Sequence, residues 1–199
     1  TVRRPNPSHS DMPHHINAAS RLTSILTAAR DSGKSQTYQA WAHAFNVAED
    51  QNRTTMMLVM QRLIWLDAEI TAVREGMQRA SFSEQLYIHA LSRIQNAFEP
   101  LNLASKWADT VTNCLNSEVL TSLGFCAEIL PDEEAVVSEE DLAAIQSLLT
   151  ELEALVQSAS VPPRLRVIIQ HHVELIHEAL EKYPIFGLVA LRDAAWSSR

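Results

Sequence analysis

Apolar positions in this chain recur at spacings of three and four, the period of helices that each bury one face. Ile16, Leu22, Ile25, Leu26 and Ala29 predict a first helix over residues 14–30, stopped by Gly33. Tyr38, Trp41 and Phe45 put an aromatic stripe on a short helix over 37–47. A long helix follows over 50–77. Its first half, Met56-Met57-Leu58-Val59-Met60, is apolar all round and predicts a central helix wrapped by neighbours, while Ile70, Val73 and Met77 return its second half to a single face. Ser81 and Glu84 have the spacing of a capping box. The next helix is expected to open there, run through Tyr87, Leu91, Ile94 and Phe98, and stop before Pro100. One or two shorter helices occupy 103–130.

Pro131 opens an acidic linker over 131–137. Ser138 and Asp141 then read as a capping box for a helix to about residue 159. Val161-Pro162-Pro163 makes a turn, with Pro163 suited to the first position of a helix running to residue 182. Pro184 is expected to divide that helix from a short last one ending near Trp196. The pattern as a whole predicts an all-α fold. A flexible tail over 1–13 precedes a multi-helix bundle over 14–130, and the acidic linker leads to a C-terminal subdomain over 138–199, an αα-hairpin plus a short terminal helix. No internal repeat shows at solenoid spacing.

Composition narrows the alternatives. Hydrophobic residues make up 46% of the 199, enough for a real core. Gly occurs only 4 times, at 33, 76, 124 and 187, too few for the turns of a sandwich or barrel and too scattered for a phosphate loop. The 2 cysteines, Cys114 and Cys126, read as buried thiols of a reducing compartment. No apolar run follows Arg3 and Arg4, and the most apolar window, 56–66, is interrupted by Gln61 and Arg62. The expectation is a soluble cytoplasmic protein with no membrane partner.

Charge is the least ordinary feature. The formal net charge is -8, distributed unevenly: residues 1–130 hold twelve acidic and eleven basic side chains, whereas 131–199 hold twelve and five. No Lys or Arg occurs between Lys106 and Arg164. The helix dipole favours Glu139, Glu140 and Asp141 at a helix start, but it does not explain the missing cations. Glu133, Glu134, Glu139, Glu140 and Asp141 are therefore the candidate residues of a docking surface for another, basic, protein. A solvated acidic face that aids solubility is the plainer alternative. Either would repel a phosphate backbone, so nucleic acid is not favoured as a partner.

The chemical constellations are weak. Glu174 and His177 form one Glu-x-x-His, whereas a di-metal bundle needs that pair twice. His9, Asp11, His14 and His15 sit at the edge of a proline-rich tail, which lacks the fixed geometry of a metal site. No Gly-x-Ser-x-Gly elbow is present, and Cys114 lies in a helical run as a small buried hydrophobe. No metal and no cofactor is expected. The tyrosine, tryptophan and phenylalanine of the 38–45 stripe and the methionines at 56, 57, 60 and 77 fit a core better than an interface.

Two resemblances add to this reading. The closing stretch, from Leu165, Ile168 and Ile169 through Leu180, Tyr183 and Gly187 to Ala190-Leu191-Arg192-Asp193-Ala194, loosely resembles the C-terminal helices of uncharacterised bacterial proteins, which implies a bacterial source and no chemistry. Arg166 and His171, with four residues between them, are similar to the Arg-x4–6-His motif of HEPN-type ribonucleases. That resemblance implies His171 as general acid or base and Arg166 as a phosphate holder. Val167 departs from the polar residue usual after the arginine in that family. Alternatively, Arg166 and His171 merely flank the apolar face of Leu165, Ile168, Ile169 and Ile176.

The sequence thus points to a non-catalytic, all-helical protein-binding protein: a regulator, inhibitor or subunit of a bacterial assembly. A HEPN-like metal-independent ribonuclease is the rival from another class. A structural homo-oligomer with the 56–66 helix as its seam is the third reading.

Overall fold

The computed structural model describes residues 16–133, 137–158 and 161–197, and within them the chain is all-α. Nine α-helices occur among these residues: α1 (Ala18–Arg30), α2 (Thr37–Ala44), α3 (Arg53–Arg79), α4 (Ile88–Ala97), α5 (Trp107–Cys114), α6 (Ser117–Ile129), α7 (Glu139–Ser158), α8 (Pro163–Phe186) and α9 (Leu188–Ser197). Two short 3₁₀ turns precede α4 and α5, and one isolated bridge joins Gln36 to Lys106. The expected tail over 1–13 lies outside the described residues. None of the described helices is long and apolar enough to cross a membrane.

Asparagine starts three of these helices. Asn17, Asn52 and Asn116 each accept a backbone N–H from the third residue of α1, α3 and α6, which satisfies a donor the helix cannot. Asn17 also donates from Nδ2 to the carbonyls of Ala127 and Leu130, at 2.9 and 3.2 Å. This buried amide stitches the start of α1 to the end of α6. Ser138 caps α7 as expected: its hydroxyl accepts from the Asp141 N–H at 3.0 Å and donates to the Asp141 carboxylate at 2.7 Å.

Ser81 does the opposite of what its spacing suggests. It follows the end of α3 with φ 60, and its N–H donates to the carbonyl of Gln78 while that of Phe82 donates to Met77. This paired pattern terminates a helix, so Ser81 takes the left-handed role usual for glycine, and α4 opens only at Ile88. Pro184 is likewise inside α8 and not at its end. The ring removes one backbone donor, yet the helix runs on until Gly187, whose φ of 60 breaks it and turns the chain into α9.

The core is built by α1, α3, α4 and α6, and a cluster of aromatics closes it where α2 meets the end of α4 and α5. Trp41 stacks on Phe45 and meets Phe98 and Trp107 edge-on at centroid distances of 5.5 Å. The stripe Tyr38, Trp41 and Phe45 is core. The first half of α3 is not wrapped. Its buried line is Val59, Leu63, Leu66, Ile70, Val73 and Met77, one helical face, while Met57 is 60% and Ile64 68% exposed. The apolar run reads as all-round only because the outward face also carries methionine and isoleucine.

The second half of α8 lies on α1 and α3. Ile185 enters the core, Phe186 meets Trp65 at 6.3 Å, and Lys182 sits over the Trp65 ring at 5.8 Å. The first half pairs with α7 to form the hairpin, and Tyr183 ties its base: the hydroxyl accepts from the Val137 N–H at 3.1 Å.

Candidate functional site

Arg21 occupies the junction of the body with the C-terminal helices. From α1 its guanidinium reaches Glu69 on α3 at 2.8 Å, Glu133 at 2.5 Å and the Ile185 carbonyl on α8 at 2.9 Å. Burial alone would lower its pKa, but the Glu133 hydrogen bond and the two carboxylate charges outweigh it and hold the guanidinium above its ordinary value. Burial pushes the Glu69 carboxyl up to about 7, against the pull of Arg21 and with a further push from Glu133. A cleft of about 540 Å³ opens beside this triad, walled by Ala68, Leu175, Ala179 and Phe186, with Lys182 and Asp193 at its edge. Glu178 holds Lys182 at 2.5 Å. One guanidinium faces two carboxylates, so the triad is neutral while Glu69 holds its proton and carries one negative charge once Glu69 ionises, and it ties α1, α3, the 131–133 segment and α8 together.

The hairpin is different. Leu149 and Val156 of α7 and Val173 of α8 are buried along the seam, and His177 lies 3.3 Å from Glu153 across it. The partner of His177 is thus on the neighbouring helix, and Glu174 of the Glu-x-x-His pair lines the seam groove with Arg166, Ile169 and Gln170. Beside the seam, large apolar side chains face water: Leu148 at 63%, Leu152, Leu155, Leu165 at 48% and Ile168 at 54%. Leu148, Leu152 and Leu155 stand at i, i+4 and i+7, one stripe of α7.

The acidic candidates divide into two groups. Glu133 is engaged with Arg21, and its backbone N–H donates to the Ile16 carbonyl. Asp141 is held by Ser138. Glu139 and Glu140 are exposed in the first turn of α7, and Glu134 lies outside the described residues. Glu151 and Glu153 are exposed farther along α7, and no Lys or Arg stands on that helix.

Arg166 and His171 are not brought together. Five residues along one helix turn a side chain through about 140°. Both are exposed: Arg166 lines the α7–α8 groove, and His171 meets His172 edge-on at 5.9 Å. Among the described residues no group of three or more His, Cys, Asp or Glu side chains converges as a metal set, and His9, Asp11, His14 and His15 fall outside them. Both cysteines are free thiols, with burial pushing Cys126 up to about 11.

Sequence reasoning missed Leu148 and its neighbours on α7. The available signal was an excess of leucine: Ile145, Leu148, Leu149, Leu152, Leu155 and Val156 span more of the helix circumference than one partner helix covers. It missed Arg21 and Glu69 too, since neither belongs to a local motif. No protein-family model, curated protein or solved structure matches the chain.

Proposed function

We propose that this is a non-catalytic protein-binding protein, a regulator, inhibitor or subunit of a bacterial assembly, that works through contacts of its C-terminal hairpin. The observation that carries the reading is the row of exposed leucine and isoleucine side chains on α7 and α8, set beside an acidic helix with no cation of its own. Isolated surface leucines are ordinary, but a contiguous apolar face rimmed by polar residues is the usual form of a protein interface. The clamp of Arg21 supports it, because a hairpin anchored at its base can present its tip as a rigid platform. Two free thiols suit a reducing compartment, and the cytoplasm is the proposed location.

The test is affinity isolation of the full chain from its native host, with quantitative mass spectrometry, beside a Leu148→Asp/Ile168→Asp variant. One protein enriched with the wild type and lost with the variant supports the reading. Equal recovery of every captured protein by both chains rejects it.

A further inference from the structure

The cleft beside Arg21 has more acceptors than donors on its walls. Glu69, only 4% exposed, lines it from α3, and its one hydrogen-bond partner among the described residues is Arg21, at Oε2. The other oxygen, Oε1, has no partner there and is not sealed from solvent, so it opens on the cleft. The nearby donors are already engaged. Arg21 gives Nε to the Ile185 carbonyl, Nη1 to Glu133, and Nη2 to Glu69 and Glu133. Lys182 is held by Glu178 at 2.5 Å and sits over the Trp65 ring at 5.8 Å. Asp193, exposed on α9 at the edge of the cleft, pairs with no cation among the described residues.

The charges of the whole lining decide the sign of a ligand. Arg21 and Lys182 are its cations, against the carboxyl groups of Glu69, Glu133, Glu178 and Asp193. An anion would meet an arginine shared by two carboxylates and a lysine held by a third. A cation that brings its own N–H groups would find Glu69 Oε1 free. Burial, opposed by Arg21 and reinforced by Glu133, holds the Glu69 carboxyl up at about 7, so a charge placed beside it has a proton to displace. The remaining wall is apolar and its side chains are short: Ala68, Ala72, Ala179, Ala190 and Ala194 leave a space of about 540 Å³, the size of a small-ligand pocket.

We infer that this cleft binds a primary alkylammonium group, its nitrogen against Glu69 Oε1 and its alkyl chain along the alanine wall. The ammonium supplies donors that the lining lacks, and its charge balances the triad once Glu69 ionises. A bare metal ion fits less well, since the wall is largely apolar and no set of three or more metal-ligating side chains converges among the described residues. The group has two sources, a free aliphatic amine or the lysine of another chain, and the chemistry at Glu69 is the same for both. The site is separate from the exposed leucines of the hairpin, because it lies at the other end of α8 from Leu165 and Ile168. An ammonium here favours the ionised carboxylate, so binding releases the Glu69 proton and tightens as pH rises from 6 to 8.

The probes are n-butylammonium chloride, sodium butyrate as the anion of like length, and Nα-acetyl-lysine N-methylamide as a stand-in for a protein lysine. Each is titrated into the full chain by isothermal calorimetry at constant ionic strength, at pH 6 and pH 8 and in two buffers that differ in ionisation enthalpy. Butylammonium is expected to bind and butyrate not to. Its affinity should rise several-fold, up to about tenfold, between the two pH values, with a proton released on binding at pH 6. Glu69→Gln, which keeps the shape and cannot ionise, should weaken binding about tenfold at pH 8 and abolish the proton release. Ala68→Leu, at an exposed position of the wall, keeps every charge and should block the cleft; circular dichroism verifies the fold of both variants. The hairpin variant Leu148→Asp/Ile168→Asp should bind the amine like the wild type. No heat from either ammonium probe overturns the inference. So does binding of butyrate as tight as that of butylammonium, binding without pH dependence, or undiminished binding by Glu69→Gln or Ala68→Leu. Tighter binding of the lysine mimic assigns the group to a partner's lysine, and tighter binding of butylammonium assigns it to a free amine; either supports the site.

Discussion

Arg21 on α1 and Glu69 on α3 stand 2.8 Å apart with side chains only 13% and 6% exposed, and the same guanidinium carries Glu133 and the backbone of α8. One arginine therefore joins α1, α3, Glu133 and α8 at the place where Ile185 and Phe186 also pack on the body.

The pair makes stability depend on pH in a defined direction. Glu69 keeps its proton up to about pH 7 in the folded chain and releases it near 4.5 when unfolded. Between those values the folded state binds the extra proton, so this stabilisation is fully present below 4.5 and is lost as pH rises through 7. Glu69→Gln, which keeps the shape and never ionises, should gain on the wild type between pH 5 and pH 8, by on the order of 1–3 kcal/mol. Arg21→Ala should cost about 3–5 kcal/mol at pH 8, where it strands a buried carboxylate, and clearly less at pH 5. Urea midpoints of the three chains at both pH values check this. Parallel pH profiles would show that Glu69 titrates like an exposed carboxyl.

Trp41 anchors the aromatic cluster. It is fully buried against Phe45, Phe98 and Trp107, so truncation leaves a cavity bounded by three rings. Trp41→Ala should lower stability by about 3–5 kcal/mol. Trp65→Ala, at a partly buried ring facing Phe186, should cost less and should loosen α8 selectively. Hydrogen exchange of α8 amides distinguishes the two: global protection should fall in the first variant, and local protection in the second.

Much of the fold was legible because helices write their period into the sequence. The line Ile70, Val73 and Met77 in the second half of α3 and the stripe of Tyr38, Trp41 and Phe45 follow from spacing, whereas the first half of α3 reads as apolar all round and buries only one face. Caps were legible where the side chain acts locally, as at Ser138, and misleading at Ser81, where a tertiary turn put a serine into the left-handed region. Pro184 misled because a local penalty yielded to the burial of Ile185 beside it. The acidic run was plain in the sequence, but which of its members stay unengaged was not. Glu133 is claimed by Arg21, 112 residues away, and no local pattern encodes that pairing.

Gly187 and Gly33 should respond differently to alanine. Both have positive φ, 60 and 69, so a side chain strains either position. At Gly33 a Cβ would meet nothing within 4 Å, and Gly33→Ala should cost only about 1 kcal/mol. At Gly187 it would come to 3.0 Å from the Arg21 guanidinium, displacing the group that clamps the hairpin. Gly187→Ala should therefore cost more, about 2–3 kcal/mol, and should move the Glu69 titration as well. Equal thermal shifts for the two variants would separate the Gly187 turn from the clamp.

The last expectation concerns RNA. Arg166 and His171 have the spacing of a ribonuclease motif, yet about 140° of helix separates their side chains, and Arg166 lines a groove with Glu153 of α7 and Glu174 of its own helix. General acid–base cleavage needs the histidine within hydrogen-bond reach of the transferred proton, while the arginine holds the same phosphate. Within one chain the two side chains leave the helix about 140° apart, so a shared phosphate would need a second chain to complete the site. The surroundings oppose it further: α7 adds Glu139, Glu140, Asp141, Glu151 and Glu153, and phosphate contacts normally supply much of the affinity for a polyanion. Wild type, Arg166→Ala and His171→Ala, purified identically, should leave a single-stranded RNA equally intact. Cleavage by the wild type that both substitutions abolish would overturn this expectation, and with it the non-catalytic reading.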